Sequence, residues 1–503
     1  MKVLPIEKVR EADAYTIKNE PIESTDLMER AAKSCFKWMQ KKLEPGAIVK
    51  IFCGLGNNGG DGLALARLLA KKEFRVEVFI VRYSDKASED FTINLERLEY
   101  QGIARINEIR AGDELPSGLR GEWVVDAIFG SGLSKPVSGF IAEVIEHINQ
   151  SGAKVISIDV PSGLFCDKSS VDSGGAIIHA EYTLTFQFPK KAFMFAENLV
   201  YVKEWEPMYI GLHPDFIKSV DKADNFMLGE DIKKLIKQRQ KFDHKGKFGH
   251  ALLIAGSYGK MGAAVLASEA CMRAGAGLLT THIPQGGYGI LQTSVPEAMS
   301  SIDRSETAFT EIPNLDPYNA IGIGPGIGQE KETQTALKVL IQNTGLPILF
   351  DADAINILGE NKTWISFIPQ GSIFTPHPKE FERLVGTSSN AFERDKLQRE
   401  FSIKYGAYVV LKGYSTAISC PDGTCYYNST GNPGMATGGS GDALTGMILG
   451  LLAQGYHSLD ACLVGAHLHG LAGDLASEEL GYEASLASDI IGHIGYAYQY
   501  LQK

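Results

Sequence analysis

The chain has 503 residues, 44% of them hydrophobic, enough apolar material for two or three domains with cores of their own. A formal net charge of −11 at pH 7 argues against wholesale binding to nucleic acid or an anionic membrane, and no run approaches the ~20 apolar residues of a membrane span. Seven scattered cysteines fit reduced thiols better than a disulfide framework, and the opening residues carry no apolar targeting segment, so the expectation is a cytoplasmic α/β protein.

From Asp26, the residues Leu27, Met28, Ala31, Ala32, Cys35, Phe36, Met39 and Leu43 recur at helical spacing, with Asp26 and Glu29 as a capping-box-like start. The run 47–53 then reads as a buried strand. It ends in Gly54-Leu55-Gly56-Asn57-Asn58-Gly59-Gly60-Asp61-Gly62, and a helix follows through Leu63, Ala66, Leu69 and Ala70. Further strands fit 76–81, 123–128 and 154–159, with helical patterns between them, so the first half is a mostly parallel, doubly wound sheet. The stretch 215–247 is rich in Lys and Arg and reads as a connecting helix and linker with a solvated basic face. After it the rhythm restarts: a strand at 251–255, a helix through Ala263, Ala264, Ala267, Ala270 and Ala274, and strands at 320–323, 348–351 and 407–411. Cys420 and Cys425 flank Pro-Asp-Gly-Thr, which reads as a hairpin turn, and no second cysteine pair completes a zinc site. The predicted domains are 1–222 and 223–503.

In the first half, Gly54-x-Gly56-x-x-Gly59 follows a strand and opens a helix. Yet the acidic residue a dinucleotide fingerprint wants at the end of the next strand is missing, because Val81-Arg82-Tyr83-Ser84 stands there. Two amides and a carboxylate among glycines could hold a monovalent cation, or a ribose and phosphate. Asp126-x-x-Phe129-Gly130-x-Gly132 and Asp159-x-Pro161-Ser162-Gly163 end two more strands. Either aspartate alone could simply cap a turn, but three polar clusters at three strand ends share one crevice in such a sheet.

These motifs, with Leu27-Met28-Glu29-Arg30-Ala31, resemble the NAD(P)H-hydrate epimerases over roughly residues 1–215. The resemblance implies a Rossmann-like domain that interconverts the R and S epimers of hydrated NADH or NADPH. It implies nucleotide contacts from Asn57, Asn58, Gly59, Gly60 and Asp61, and from Gly130, Ser131, Gly132, Leu133, Ser134, Lys135 and Pro136. It also implies potassium on Asn58, Asp126 and Ser162, with Asp159 against the hydrated ring. Epimerisation moves a proton while an iminium or ring-opened form exists, so Asp159 is a fitting acid or base.

In the second half, Gly431-Asn432-Pro433-Gly434-Met435-Ala436-Thr437-Gly438-Gly439-Ser440-Gly441-Asp442 runs straight into a helical pattern. Glycines turn backbone N–H groups inward and a helix N-terminus adds partial positive charge, so the loop suits a phosphate. Asp442 would repel phosphate unless it worked on a hydroxyl, although an aspartate here also caps helices. Gly322-Ile323-Gly324-Pro325-Gly326-Ile327-Gly328 and Asp351-Ala352-Asp353 follow strands. His377 stands between two prolines in a stiff turn, a candidate ligand contact, and Lys412-Gly413-Tyr414-Ser415-Thr416 follows the strand 408–411. No P-loop signature occurs. His467 and His469 lie two apart on a helix and so face different ways.

This set resembles the ribokinase-like superfamily, and within it the ADP-dependent NAD(P)H-hydrate dehydratases, from about residue 225 onward. The closer match rests on residues 244–250, 261–264 and 431–437. Ser440 departs from the threonine more usual there. The resemblance implies substrate contacts from Ala263, Gly326, His377 and Asp442, and ADP contacts from Lys412, Gly413, Tyr414, Ser415, Thr416 and Gly441. Magnesium is implied, without a motif that fixes its ligands. The fold class expected is thus α/β, a Rossmann-like doubly wound domain followed by a ribokinase-like one. The function expected is nicotinamide nucleotide repair on small-molecule substrates, NADHX, NADPHX and ADP, with Asp442 taking the hydroxyl proton. A homo-oligomer is the expected assembly. The rival readings are a small-molecule kinase of a vitamin precursor, and a first half that only binds nucleotide.

Overall fold

Apolar runs bounded by glycine and polar turns become buried parallel strands at the centre of each sheet. The computed structural model describes residues 1–72, 74–171 and 173–502. Two units emerge, residues 2–223 with 390–392, and residue 1 with 224–389 and 393–503.

The first unit holds strands β1 (Ile48–Cys53), β2 (Arg75–Val81), β3 (Arg105–Ile109), β4 (Trp123–Ala127), β5 (Lys154–Ile158), β6 (Ala180–Phe186) and β7 (Val202–Met208). Their order is β3-β2-β1-β4-β5-β6-β7, and every pair is parallel. Along β1, Val49, Ile51 and Cys53 enter one core layer and Phe52 the other, the period of two that buries a parallel sheet on both faces. Strand order reverses between β1 and β4, which opens a crevice at their C-terminal ends.

Helix α1 (Ser24–Lys42) starts two residues before the expected Asp26. The capping box is Glu23 with Asp26, whose Oδ2 accepts the Glu23 N–H at 3.2 Å. Glu29 instead faces Arg67, on helix α2 (Asn57–Ala70), and so ties the two helices together.

The second unit contributes β8 (Asp224–Met227), β9 (His250–Ile254), β10 (Leu278–Ile283), β11 (Met299–Ile302), β12 (Ala320–Ile323), β13 (Ile348–Phe350), β14 (Ile373–Phe374), β15 (Tyr408–Leu411), β16 (Ala417–Ser419) and β17 (Cys425–Asn428). They run in the order β8-β17-β16-β15-β14-β13-β12-β9-β10-β11. Among these ten strands β15–β16 and β16–β17 pair antiparallel, the latter as the hairpin flanked by Cys420 and Cys425. Both cysteines are free thiols. On β9, Leu253 enters one core layer while Leu252 and Ile254 enter the other.

The basic stretch is more than a linker. It contains β8, which pairs in parallel with β17, and a short helix, Gly229–Leu235. Four residues are too few to show a strand period. A tertiary contact fixes them: Asp224 takes Arg399 through both carboxylate oxygens at 2.7 Å. Among the described residues no helix is long and apolar enough to cross a membrane.

Small residues bring helix α3 (Met261–Arg273) against helix α4 (Ser440–Ala453). A Cβ at Gly446 would overlap the Ala267 carbonyl oxygen and stand 2.9 Å from Ala270 Cβ. That close approach sets where the first turn of α4, with Asp442, meets the strand ends. Gly446→Ala is expected to cost about 1–3 kcal/mol in urea unfolding. An unchanged midpoint would show that the contact is not tight.

Candidate active sites

The tips of β1 and β4 are tied together by the Gly54 N–H, which donates to Ala127 O at 3.0 Å. Helix α2 begins at once, with Gly56 as N-cap and Asn57, Asn58, Gly59, Gly60 and Asp61 in its opening residues. A Cβ at Gly59 would overlap the Gly54 carbonyl oxygen, so only glycine lets the helix start this close to the strand. The first N–H groups of the turn have no intrahelical acceptor and suit an anion.

Asn58 is buried beside Gly130, where a Cβ would stand 3.2 Å from Asn58 Oδ1, and its Nδ2 has no hydrogen-bond partner among the described residues. Asp126 is fully buried. Its Oδ1 accepts from Ser162 Oγ at 2.5 Å and Ile128 N at 3.2 Å, and its Oδ2 from Ser157 Oγ and Ser162 N, both at 2.8 Å. All these donors are neutral, and no Lys, Arg or His bonds this carboxylate among the described residues. Burial pushes its pKa up, against the pull of those hydrogen bonds. Ser162 Oγ also accepts the Phe129 N–H at 2.8 Å, which brings Asn58, Asp126, Gly130 and Ser162 into one group.

Asp159 follows β5 with φ of 65°, a left-handed conformation that costs a non-glycine residue of order 1–3 kcal/mol. The turn aims its carboxylate at Lys190 Nζ, 2.8 Å from Oδ1. Phe186 N donates to Oδ1 and Ser131 N to Oδ2, both at 3.2 Å. The Lys190 ammonium is wholly buried and also donates to Thr185 Oγ1 at 2.9 Å and Phe188 O at 3.1 Å. Burial alone would raise the Asp159 pKa, but the ammonium and the hydrogen bonds outweigh it and hold the group below its ordinary value. Asp61 is pushed well up, by burial first and then by the charge of Asp159. Gly130 and Ser131 thus join the carboxylates. Gly132 adjoins Arg10 and Leu133 packs on the core, Ser134 O accepts from Lys168 Nζ, Pro136 adjoins Gly175, and Lys135 between them is exposed.

In the second unit, consecutive parallel strands deliver their polar ends in a row. Asp351 N donates to Ile323 O at 3.0 Å, Thr375 N to Phe350 O at 3.1 Å, and Lys412 N to Pro376 O at 3.0 Å. Gly439, at φ 90°, is the N-cap of α4, and Asp442 lies in its first turn. Lys412 Nζ binds Asp351 Oδ1 at 3.1 Å and lies against Gly441, where a Cβ would stand 3.2 Å from it. Asp351 Oδ2 is taken by Thr445 Oγ1 at 2.8 Å. Asp442 has its pKa pushed up to about 7, by burial first, then by Asp351, with Lys412 pulling the other way.

Gly326 and Ala263 touch: a Cβ at Gly326 would stand 3.2 Å from Ala263 Cβ. Asp353 gathers their surroundings, accepting from Gly328 N at 3.0 Å, Gln329 Nε2 at 2.9 Å and Lys260 Nζ at 3.2 Å. His377 is a helix N-cap rather than a free turn residue. Its Nδ1 accepts from Lys379 N at 3.1 Å and Glu380 N at 3.3 Å, which places the ring proton on Nε2, 3.4 Å from Glu380 Oε1. Gly413 and Tyr414 are exposed and Ser415 and Thr416 half-buried, forming the rim after Lys412. His467 and His469 do face apart, the first bonding Asn428 and the second Ser440.

Lys190, Thr445 and Lys260 escape sequence reasoning. The first stands in a Phe-Pro-Lys run with no motif grammar, and the others gain meaning only from partners 93 and 94 residues away. Asp474 also escapes it. Its carboxylate takes Gly431 N at 3.0 Å and Asn432 Nδ2 at 2.9 Å, and so shapes the start of the glycine-rich loop.

Comparison with known proteins follows the same division. A family model described as NAD(P)H-hydrate dehydratase matches residues 251–495, and one described as YjeF-related protein N-terminus matches residues 24–192. A bifunctional NAD(P)H-hydrate repair enzyme of Moorella thermoacetica is 33% identical over 498 residues, covering 96% of this chain and 94% of that protein. One from Coxiella burnetii is 34% identical, covering 97% of each. A crystal structure of an ADP/ATP-dependent NAD(P)H-hydrate dehydratase from Bacillus subtilis, co-crystallised with ATP and Mg2+, is 30% identical with a TM-score of 0.49. It covers 56% of this chain and 100% of that one.

The Asp159–Lys190 pair yields a stability prediction. Lys190→Met strands a buried carboxylate and is expected to cost about 3 kcal/mol at pH 7 in urea unfolding. Asp159 has a depressed pKa, so its stabilisation is present above the unfolded value and lost as pH falls through the folded one. The gap between wild type and variant should therefore shrink below about pH 4. A gap independent of pH would count against the pair.

Proposed function

The chain belongs to the bifunctional NAD(P)H-hydrate repair enzymes, which join an epimerase to a dehydratase, and from that premise we propose how its residues divide the work. Residues 1–222 act as the epimerase domain and residues 223–503 as the dehydratase domain. The observation that carries the reading is Asp442, set in the first turn of α4 behind the glycine-rich loop, with the Lys412 ammonium lying against Gly441.

In the dehydratase domain, Gly441 and the segment Lys412, Gly413, Tyr414, Ser415 and Thr416 hold ADP. Ala263, Gly326 and His377 hold the S hydrate. Asp442 takes the proton from the substrate hydroxyl as its oxygen attacks the terminal phosphorus of ADP, and AMP leaves. Lys412 and the α4 N-terminus stabilise the charge that develops. Phosphate then leaves the ring more readily than hydroxide would, a ring proton is lost, and the dihydronicotinamide is restored. Among the described residues no group of three His, Cys, Asp or Glu is arranged to hold a metal. Magnesium, when bound with the nucleotide, would supply charge neutralisation.

In the epimerase domain, Asn57, Asn58, Gly59, Gly60 and Asp61 with Gly130, Ser131, Gly132, Leu133, Ser134, Lys135 and Pro136 cradle the nucleotide, and Asp159 faces the hydrated ring. Asn58, Asp126 and Ser162 fit a potassium ion. Asp126 is a buried carboxylate with neutral partners only, and Asn58 Oδ1, beside Gly130, adds a neutral oxygen to the group. The ion would supply the missing positive charge. The protein works as a homo-oligomer in the cytoplasm on small-molecule substrates.

The test is a mixed-epimer NADH hydrate with ADP, magnesium and potassium, followed by the return of dihydronicotinamide absorbance. Consumption of both epimers with release of AMP and phosphate is expected, and a stable phosphorylated product would mark a small-molecule kinase instead. Asp442→Asn should lower kcat/KM for dehydration about 10³-fold. Because Asp442 must be ionised to accept a proton, wild-type kcat/KM should fall as pH drops below about 7. A flat profile from pH 5 to 9 would remove Asp442 as the base. Replacing potassium by tetramethylammonium should lower the thermal midpoint of the first unit, since saturation at 100 times Kd contributes about 2.7 kcal/mol. Asp126→Asn should abolish that dependence. Equal midpoints in both salts would eliminate the ion site.

A further inference from the structure

We propose that Asp13, on the helix Ile6–Asn19, is a proton donor and acceptor of the epimerase site, acting on the ring hydroxyl opposite Asp159. The proposal rests on the reading of residues 1–222 as the epimerase domain, and sequence reasoning gave Asp13 no role.

The helix is laid over the site by contacts along its length. Ile6 N donates to Asp167 Oδ2 at 2.8 Å, in the segment that follows the Asp159 turn. One turn on, Arg10 reaches the substrate loop after β4, with Nη2 3.2 Å from where a Cβ of Gly132 would stand. Thr16 Oγ1, buried, accepts the His213 N–H at 2.9 Å and pins the far end. Asp13 lies three residues after Arg10 and four after the buried Val9, so it shares their face.

The charges of Asp159 after β5 and Lys190 after β6 act on it, and its own charge acts on Asp61 in the first turn of α2. Arg10 is on its own helix, and Asp167 meets that helix at its start. No hydrogen bond or ion pair engages the Asp13 carboxyl among the described residues, whereas both Asp159 oxygens are engaged. One carboxylate is therefore fixed and the other is left to exchange.

The protonation states support this division. Burial and then the charge of Asp159 push Asp13 up to about 7, with Lys190 opposing, while Asp159 is held below its ordinary value. Two neighbouring carboxyls driven apart in this way mark an acid beside a permanent anion. In the forward step Asp13 gives its proton to the ring hydroxyl. The C–O bond breaks, water leaves, and the ring nitrogen lone pair closes the iminium, whose positive charge faces ionised Asp159. Water then adds to the other face of the same carbon and returns a proton to Asp13. Nothing is oxidised or consumed.

The experiment measures exchange between purified R and S NADH hydrate without ADP, from pH 6 to 9, for wild type, Asp13→Asn and Asp13→Glu. ADP-dependent consumption of the S epimer and thermal midpoints are recorded on the same preparations. The proposal expects wild-type kcat/KM for exchange to fall as pH rises through about 7. Asp13→Asn should lose about 100-fold in kcat and lose that alkaline limb, and Asp13→Glu should recover at least tenfold of the loss. Asp13→Asn within threefold of wild type, or slowed but with the alkaline limb intact, overturns it. If Asp13→Asn melts below the assay temperature the wild-type profile decides, and a rate flat from pH 6 to 9 overturns it. No exchange by the wild-type chain overturns the epimerase reading as well, whereas exchange unaffected by Asp13→Asn overturns the role of Asp13 alone.

Discussion

An ammonium set among buried carboxylates is the interaction on which both sites depend. Carboxylates at strand ends repel each other and would repel a nucleotide, yet proton chemistry needs them there. In the first unit Lys190 lies wholly buried against Asp159 at 2.8 Å. In the second, Lys412 binds Asp351 at 3.1 Å and touches Gly441, one residue before Asp442. A lysine in direct contact keeps its partner ionised, and a lysine engaged elsewhere leaves the next carboxyl to burial and like charge. The two arrangements give an anion in one unit and, in Asp442, a group poised near neutrality in the other.

The sheets make these arrangements possible. Because neighbouring strands run parallel, their C-terminal ends lie side by side and each backbone hooks the last, as Asp351 N on Ile323 O and Lys412 N on Pro376 O. Residues far apart in sequence become neighbours with the regular spacing of the strands. Asp351 and Thr445 meet across 94 residues in this way. The short approach of α4 to α3 at Gly446 then places Asp442 over the row.

Much of this was legible in the sequence. Long apolar runs such as 47–53 and 320–323 announce buried strands, and the glycine clusters after them mark where backbone must approach backbone or ligand. Local grammar thereby located Asn57–Asp61, Asp126, Asp159, Lys412 and Asp442 at strand and helix ends. What stayed hidden was set by tertiary contacts. The four residues of β8 are too few for periodicity and are held by Arg399. Lys190 is an ordinary lysine until β6 and its loop carry it under Asp159. His377, framed by prolines, looked like a rigid turn. The structure makes it a helix cap whose Nδ1 takes two backbone N–H groups and whose Nε2 lies 3.4 Å from Glu380 Oε1.

The protonation pattern has a cost for the folded chain with a definite sign. Asp13 and Asp442 hold their protons to about pH 7 when folded, whereas the same groups in an unfolded chain release them near 4. Between those values the native state binds more protons than the unfolded one, so these two groups make stability fall as pH rises. Asp159 acts oppositely, because its depressed pKa adds stability above the unfolded value. A protein selected for stability alone would give each such carboxyl its own lysine. Asp61 and Asp126, in the nucleotide and ion sites, are likewise raised without one; of the other three only Asp159 has a lysine, and Asp13 and Asp442 are the two proposed to move a proton. Their placement makes physical sense only if the destabilisation near pH 7 is the condition for the chemistry.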